Sequence, residues 1–220
     1  MKILALDAST LACSVTLFCE GVVSSRRKIG KKLHNEQLLP FIHELTREAG
    51  VALSSLDAVA VGVGPGSFVG VRLAVSVAQG IAMAHQLPVI TFSSLALLAQ
   101  TAYEVHGAKE AMVLVDARNH EVYAGHYAIK EGVMLACQPD QLLNPQAIKG
   151  PGQCALLGSG WQAYADELAI DDESKLYSEL LPDTAKAESI LKRAWHEKTW
   201  VLAGDVEPCY LRHEAHWAKK

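Results

Sequence analysis

The sequence predicts an α/β protein made of two related domains, each with a mixed β-sheet and flanking helices. Three observations support this prediction: a meander of short strands opens the chain, strands and helices then alternate, and the opening pattern returns in the second half. Alternation of strands and helices predicts a sheet with helices on its faces, and the meander adds antiparallel strands to that sheet.

The opening meander is predicted from apolar runs separated by turn signals. The predicted strands are residues 3–7, 14–19 and 22–28. The first strand ends on Asp7, and Glu20-Gly21 joins the second to the third in a tight turn. We therefore expect three neighbouring strands at the start of the first sheet.

Strands and helices alternate after the meander. The predicted elements are a helix at 36–49, a strand at 58–63, a helix at 68–85, a strand at 88–92 and a helix at 95–104. The apolar residues of the first helix follow a helical spacing: Leu38, Phe41, Ile42, Leu45 and Ala49. Gly50 is placed to end this helix as its C-cap.

The second half repeats the pattern of the meander. The motif ILALDAS matches VLVDAR in the second half, and EGVV matches EGVM. Asp116 lies 109 residues after Asp7, and the two Glu-Gly turns are 111 residues apart. A repeat of this length indicates a duplicated domain. The predicted elements of this half are strands at 113–116, 121–129 and 133–134 and helices at 161–168 and 184–195. We place the boundary near Gly107, which gives domains 1–106 and 107–220.

Composition limits the class of protein. The net charge of −4 excludes a chain that binds nucleic acid through its overall charge, so any RNA contact would be local or made by a partner. The five cysteines include no CxxC pair, which favours free thiols over a disulfide framework or a zinc knuckle. No apolar run reaches the length of a membrane span, and the apolar start is too short for a signal sequence. We expect a cytoplasmic protein with no membrane segment.

The stretch GVGPGSFVGVR, residues 62–72, follows a predicted strand and opens a predicted helix, as phosphate-binding loops do. The dinucleotide fingerprint GxGxxG fails because Val69 or Ser67 stands where its last glycine is required. A P-loop requires a lysine that this stretch lacks, and a nucleophile elbow requires GxSxG instead of GSFVG. Ser67 is therefore predicted to cap the N-terminus of the helix.

That helix carries small residues at every fourth position: Gly66, Gly70, Ala74, Ala78 and Ala82. Such a stripe lets another backbone approach closely, and we expect it to pack on the sheet of its own domain. The predicted outer face consists of Arg72, Val75, Ser76, Gln79 and Met83. One charge on a face with valine and methionine favours a protein partner, and burial by another part of the same chain is the alternative.

The motifs GPGSFVGVR, LALDASTLACSVTLF, HNEQLLP, DARNHEVY and PCYLR, in this order, closely resemble those of the TsaB (YeaZ) family, which takes part in making threonylcarbamoyladenosine in bacterial tRNA. The resemblance covers essentially the whole chain. Val69 departs from the family pattern, which usually has threonine there. The resemblance implies the ASKHA fold, the duplicated architecture of actin and Hsp70, and agrees with the repeat.

The resemblance also implies a non-catalytic scaffold subunit with no catalytic residues of its own. Its catalytic paralogue TsaD holds a metal with two histidines spaced HxxxH, and the matching stretch here, VITFSSLALLA, contains no histidine. His213 and His216 near the end of the chain are expected to belong to a solvated tail. We therefore expect no metal site.

The resemblance implies a set of partners. The helices at 36–49 and 68–85 are expected to form a helical bundle with the equivalent helices of TsaD, and a homodimer when TsaD is absent. The TsaE ATPase is expected to join the assembly, TsaC to supply the activated threonylcarbamoyl group, and tRNA contact to be indirect. The predicted interface residues are Leu38, Ile42, Arg72, Val75, Ser76, Gln79 and Met83.

A nucleotide site has few candidates. Asp7, Ser9 and Thr10 follow the first strand, but their turn lacks the glycine of an ASKHA phosphate loop, so turn capping is favoured over phosphate or magnesium binding. The segment 156–160 is either an adenosine contact or a strand-to-helix turn capped by Ser159. We expect no tightly bound cofactor, with ATP or ADP only at the interface of the complex.

Two sets of charged residues are expected to have structural roles. Asp116, Arg118 and Glu121 in DARNHEVY are expected to form a local ion network at a strand turn. The basic cluster Arg26-Arg27-Lys28 with Lys31-Lys32 is either an RNA contact or the charged edge of a sheet, and edge protection is favoured.

Two enzyme classes are the alternatives to a scaffold. An ATP-dependent phosphotransferase of the ASKHA type would use Asp7 and the duplicated domains, and it predicts ATP binding by the isolated chain. A metallopeptidase would require the HxxxH pair that the sequence lacks.

Overall fold

A computed structural model describes residues 1–30, 33–149, 152–168, 170 and 174–212. Within these ranges the first sheet has five strands: β1 Lys2–Asp7, β2 Ala12–Cys19, β3 Val22–Ile29, β4 Ala58–Gly62 and β5 Val89–Phe92. Their spatial order is β3-β2-β1-β4-β5. The pairs β1–β2 and β2–β3 are antiparallel, whereas β1–β4 and β4–β5 are parallel. The predicted meander and mixed sheet are confirmed.

The second sheet repeats this topology. Its strands are β6 Glu110–Arg118, β7 Glu121–Lys130, β8 Val133–Ala136, β9 Gln141–Leu143, β10 Ala155–Leu157 and β11 Lys175–Tyr177. The order β8-β7-β6-β10-β11 again joins three antiparallel strands to two parallel ones, and β9 adds a second pairing to β7. The duplication read from the sequence is therefore present in the strand order.

The two Glu-Gly turns have the same backbone conformation. Both residues of each turn have positive φ, 52° and 87° at Glu20-Gly21 and 53° and 80° at Glu131-Gly132. Two successive positive φ angles are the mark of a type I′ hairpin turn, whose twist matches that of the strands it joins. The repeated sequence thus builds the same hairpin in both halves.

The helices match the predictions better in the first half than in the second. They are α1 His34–Ala49, α2 Phe68–His85, α3 Ser94–His106, α4 Gly160–Ala163 and α5 Glu188–Glu197. Gly50 ends α1 in the left-handed conformation, as predicted. The predicted helix at 161–168 is wrong beyond its first turn, because α4 is a single turn; α5 begins later than predicted, after a 3₁₀ turn at Thr184–Lys186.

Helices cover both faces of the first sheet. Alternate residues of β1 point to opposite sides: Leu4 and Leu6 pack with α1 and α2, while Ile3 and Ala5 pack with α5 and with Leu97 of α3. The rest of α3 packs on the second sheet, against residues such as Val113 and Leu157. The helix α3 is therefore shared between the two sheets.

The chain after β11 returns to the first domain. Leu191 of α5 lies in the core beside β1, and Ala203 and Val206 pack in the core beside α2. The buried Thr184 hydroxyl lies 2.7 Å from the hydroxyls of both Ser14 and Thr16 on β2. The boundary at 106/107 separates the two sheets, but the assignment of all of 107–220 to the second domain does not match this packing.

By length and composition alone, α2 is apolar enough to cross a membrane, with a mean hydropathy of 1.3. Its small residues Gly70, Ala74, Ala78 and Ala82 are buried against the chain's own core. Core helices of globular domains have the same composition, and the packing of this stripe accounts for the apolar character of α2.

Candidate functional site

The glycine-rich stretch forms a tight joint between β4 and α2. A Cβ atom at Gly70 would overlap the carbonyl oxygen of Ala8, and one at Gly66 would overlap that of Ser9. The Ser67 hydroxyl accepts a hydrogen bond from the Gly70 amide at 3.3 Å, so its predicted role as N-cap is confirmed. The small-residue stripe lies on the sheet as predicted.

The second domain has a related joint at the end of β10. Gly158 has φ 92°, close to the 91° of Gly64, and Cβ atoms at Gly158 and Gly160 would meet Leu114. Ser159 occupies the N-cap position of α4 but makes no capping bond there; its hydroxyl instead accepts from the Asp116 amide at 3.2 Å. The segment 156–160 forms a strand-to-helix turn in which the predicted capping bond is wrong, and its contact with an adenosine stays a prediction.

The turn after β1 uses its polar groups internally. The buried Asp7 carboxylate accepts hydrogen bonds from the Ser9 amide (3.0 Å) and hydroxyl (2.8 Å) and from the Ser94 hydroxyl (2.7 Å). The Thr10 hydroxyl accepts from the Ala12 amide at 3.2 Å. These contacts bear out turn capping by Asp7, Ser9 and Thr10. Burial raises the pKa of Asp7, and the hydrogen bonds from Ser94 and Ser9 oppose that rise.

His34, the first residue of α1, lies beside this turn and is buried. Burial lowers its pKa, while a hydrogen bond to the Thr10 backbone and the charge of Asp7 oppose the shift. Its Nδ1 atom has no hydrogen-bond partner among the described residues. The contact of His34 with this turn was not predicted, because nothing in the local pattern shows that α1 begins against the β1–β2 turn.

Relative to wild type, Asp7→Asn is expected to raise the free energy of unfolding more at neutral pH than at acid pH. Since the folded pKa of Asp7 is raised above its ordinary 3.8, the stability that it contributes is present below that value and is lost as the pH rises through the folded pKa. Asparagine keeps an oxygen for both Ser9 bonds and can donate to the Ser94 hydroxyl, and it does not ionise.

Urea unfolding gives the free energy of unfolding of wild type and of Asp7→Asn at pH 4 and at pH 8. The change between the two pH values is then compared between the two proteins. Asp205→Asn, at an exposed carboxylate, is the matched control and is expected to leave the pH dependence unchanged. His34 also senses the charge of Asp7, so the Asp7→Asn comparison is repeated in a His34→Gln background. Equal pH dependence in wild type and Asp7→Asn would show that burial of this carboxylate does not cost stability.

A cleft of about 1540 Å³ lies between the two domains. One wall is formed by the turn at Ser9 and Thr10 and by the starts of α1 and α2. The facing wall is formed by residues 115–119 and the Gly158-Ser159 turn, and residues 208–212 complete the lining. The two glycine joints thus place corresponding turns of the duplicated domains on opposite sides of one cleft.

DARNHEVY supplies the local ion network that was predicted. Asp116 accepts from the Arg118 amide (2.9 Å) and from the Tyr164 hydroxyl (3.1 Å), and the Arg118 guanidinium lies 3.4 Å from its carboxylate. Glu121 pairs at 2.7 Å with Arg212, which also donates to the Ala117 carbonyl at 2.9 Å. The parts of Tyr164 and Arg212 in this network were not predicted, because both come from distant parts of the chain.

The basic cluster lies on β3, the edge strand of the first sheet. The Arg26 guanidinium contacts Glu44 at 3.1 Å and Glu48 at 2.5 Å on α1, and Arg27 donates to the Leu181 carbonyl at 3.1 Å. Both arginines are therefore engaged within the chain, in agreement with a charged sheet edge. Lys31 and Lys32 lie outside the described residues.

Four of the seven predicted interface residues are buried in the core or covered by another segment of the chain. Leu38 (1% exposed), Ile42 (4%) and Val75 (3%) belong to the core, so their assignment to a partner interface is wrong, as is that of Val75 to the outer face of α2. Gln79 donates to the carbonyls of Ala203 (3.1 Å) and Val206 (3.0 Å). On α2 the physical reason is that the returning segment covers this side of the helix. Burial by another part of the same chain was the alternative to a protein partner.

Arg72, Ser76 and Met83 are exposed, and their role at an interface stays a prediction. Leu39 (59% exposed) and His43 are exposed on α1, one position after the buried Leu38 and Ile42. Leu39, His43, Ser76 and Met83 are called the partner face below. The helices α1 and α2 cover the same face of the first sheet, so their exposed sides are neighbouring surfaces.

Among the residues that the structure describes, no group of three histidine, cysteine, aspartate or glutamate side chains could hold a metal ion. In the stretch VITFSSLALLA, the Ser93 hydroxyl caps α3 by accepting from the Leu95 and Ala96 amides, and the Ser94 hydroxyl donates to Asp7. His213 and His216 lie outside the described residues.

Comparison with known proteins agrees with the fold and the motifs. The family model "TsaD: tRNA N6-adenosine threonylcarbamoyltransferase" matches residues 21–177. The chain is 34% identical over its full length to the "tRNA threonylcarbamoyladenosine biosynthesis protein TsaB" of Escherichia coli (strain K12), of which it covers 98%. It is 33% identical over its full length to the protein of the same name from Haemophilus influenzae, of which it covers 97%.

A solved structure described as "YeaZ from Pseudomonas aeruginosa" has the same fold. The TM-score is 0.89 at 40% identity, over 96% of this chain and 99% of that one. Similarity of this extent covers both sheets, the glycine-rich joint and the returning C-terminal segment together. The chain belongs to the TsaB (YeaZ) family, within the TsaD-related group of ASKHA-fold proteins.

Proposed function

We propose that this chain is a non-catalytic scaffold subunit of the cytoplasmic machinery that forms threonylcarbamoyladenosine next to the anticodon of bacterial tRNA, and that it pairs with the catalytic paralogue TsaD. The observation that carries this proposal is full-length similarity to proteins named for threonylcarbamoyladenosine biosynthesis. The match to the TsaD family model supports the relation of this chain to its proposed partner.

The geometry of the first domain supports a binding role over a catalytic one. The Asp7 carboxylate is occupied by Ser9 and Ser94. The resemblance implies that the start of α3 corresponds to the stretch where TsaD carries its metal histidines, and this chain has serines there. On the outside, α1 and α2 expose Leu39 and Met83. Exposed apolar side chains on neighbouring helices are typical of a surface that packs against other helices.

The partners follow from this assignment. The TsaD paralogue binds the exposed sides of α1 and α2, and a second copy of this chain takes its place when TsaD is absent. The TsaE ATPase joins the assembly, TsaC supplies the threonylcarbamoyl adenylate, and tRNA is held by the partner. The chain holds no tightly bound cofactor, and ATP or ADP binds only at the interface of the complex.

Reconstitution of tRNA modification with and without this chain tests the proposal. TsaD, TsaC and TsaE from the same organism are combined with unmodified tRNA, threonine, bicarbonate and ATP, and threonylcarbamoyladenosine is measured by mass spectrometry. We expect product only when this chain is present, and none from this chain without TsaD. Full activity without it would overturn the scaffold role, and product without TsaD would show a catalytic role.

An ATP-dependent phosphotransferase is the second candidate, because a cleft of about 1540 Å³ lies between the duplicated domains. It requires binding of magnesium-ATP by the isolated chain. Calorimetry with magnesium-ATP decides between the two: heat of binding together with ATP turnover supports the enzyme, and no heat supports the scaffold.

A further inference from the structure

Four large apolar side chains surround the mouth of the cleft. Leu11 (49% exposed), Phe68 (56%), Val69 (61%) and Tyr210 (54%) all line it. Together with Arg72 they are called the cleft-mouth cluster. Scattered exposed apolar residues are ordinary, but several around one opening form a patch, and such patches mark interaction sites.

Arg72 is held in place at the centre of this cluster. Its guanidinium carbon lies 3.3 Å from the centroid of the Phe68 ring, and its Nε donates to the Tyr210 hydroxyl at 2.7 Å. Stacking and this hydrogen bond fix the plane of the guanidinium, and its two terminal nitrogens have no hydrogen-bond partner among the described residues. A fixed fork of two N–H donors matches a carboxylate and loses little entropy on binding.

The other arginines of the cleft are already paired. Arg118 contacts Asp116 at 3.4 Å and Arg212 contacts Glu121 at 2.7 Å, whereas no carboxylate in the described ranges pairs with Arg72. A nucleic-acid surface neutralises several phosphates and needs several available cations. Among the described residues of the cleft, Arg72 is the guanidinium without a carboxylate partner, and with four exposed apolar side chains around it, it fits a single acidic side chain on an apolar protein surface.

Tyr210 is positioned by a segment that ties the two domains together. The Cys209 amide donates to the Val63 carbonyl of the first domain at 2.8 Å, and Arg212 donates to the Ala117 carbonyl of the second at 2.9 Å. The residue that holds Arg72, Tyr210, therefore comes from the end of the described chain. The segment that carries it contacts both domains.

We propose that the cleft-mouth cluster is a second contact region for the TsaD-type partner, in which Arg72 binds a carboxylate side chain of that partner through both terminal nitrogens while Phe68, Val69 and Tyr210 cover the apolar residues around it. This inference rests on the proposed function and extends the partner face toward the N-terminus of α2, since Arg72 lies one helical turn before Ser76.

Calorimetric titration of the purified TsaD paralogue with Arg72 variants tests it. Arg72→Glu is expected to weaken pairing about tenfold or more, because it places two carboxylates together. Arg72→Lys is expected to lose part of the affinity, since an ammonium keeps the charge but not the planar fork. The affinity of the wild type is expected to fall more steeply with added salt than that of Arg72→Gln.

Lys109→Glu is the matched control: it makes the same charge change on an exposed residue outside the cleft, and its affinity is expected to equal that of wild type. Thermal unfolding of each variant verifies that it is folded. If wild type binds and Arg72→Glu binds equally well, this inference is overturned while the proposed function stands. If wild type does not bind, both fall. A loss confined to binding of isolated tRNA would assign Arg72 to RNA and overturn the protein contact.

Discussion

Gly70→Ala is expected to destabilise the folded chain by about 3 kcal/mol, the upper range for forcing an atom into a filled space. The added methyl group would overlap the carbonyl oxygen of Ala8, which is backbone and belongs to the turn that Asp7 caps. Relief requires α2 to move away from the sheet, and that opens the core around Ala74 and Ala78. Urea unfolding at a fixed protein concentration measures the change.

Gly80→Ala is the matched control on the same helix. Nothing lies within 4 Å of a Cβ atom at Gly80, which is exposed. The substitution is expected to stabilise the chain by about 0.5–1 kcal/mol, the usual gain from glycine to alanine inside a helix. Changes of opposite sign in the free energy of unfolding at two glycines of one helix would separate the effect of close packing from that of helix propensity. Equal effects at the two positions would show that the joint is looser than the structure has it.

The close approach of α2 was predictable because a four-residue repeat of small side chains has few uses other than backbone contact. The two hairpins were predictable for a similar reason, since Glu20-Gly21 and Glu131-Gly132 follow alternating strands. In each case the signal is local, and the partner is the adjacent element. Local patterns of this kind also located α1 and α2 to within about two residues, the usual error at helix ends.

The outer face of α2 was not predictable from α2 alone. Helical geometry identifies the side opposite the small-residue stripe, but Gln79 is bonded to Ala203 and Val206, more than a hundred positions away, and Val75 lies in the core that these two residues also join. On α1, the apolar spacing that located the helix also marked its buried side, so Leu38 and Ile42 were poor choices for a surface. The exposed Leu39 breaks that spacing and carries the surface signal.

The cleft depends still more on distant residues. Asp116 was recognised in its own motif, yet its bond to Tyr164 and the tie from Arg212 to Glu121 join segments that no local pattern relates. The same holds for Tyr210, which reaches Arg72 across 138 positions of sequence. Sequence patterns thus supplied the elements and their repeat, while the C-terminal return decided which surfaces remain open.

Met83→Asp is expected to weaken pairing with the TsaD paralogue about tenfold to a hundredfold, as loss of a central interface side chain does. Met83 is 65% exposed on α2, so the free chain tolerates aspartate, whereas a carboxylate buried against another helix loses its hydration. Leu39→Asp on α1 is expected to act in the same direction. Charge at the buried Val75 would unfold the chain instead and therefore does not test the interface.

Val105→Asp supplies the control for this series, because Val105 is 51% exposed on α3, away from the partner face. Its affinity for the paralogue is expected to equal that of wild type. Weaker pairing with Met83→Asp and Leu39→Asp, and not with Val105→Asp, places the partner on α1 and α2. If both face variants bind as tightly as wild type, the apolar exposure of these helices has another cause, and the heterodimer must form through a different surface.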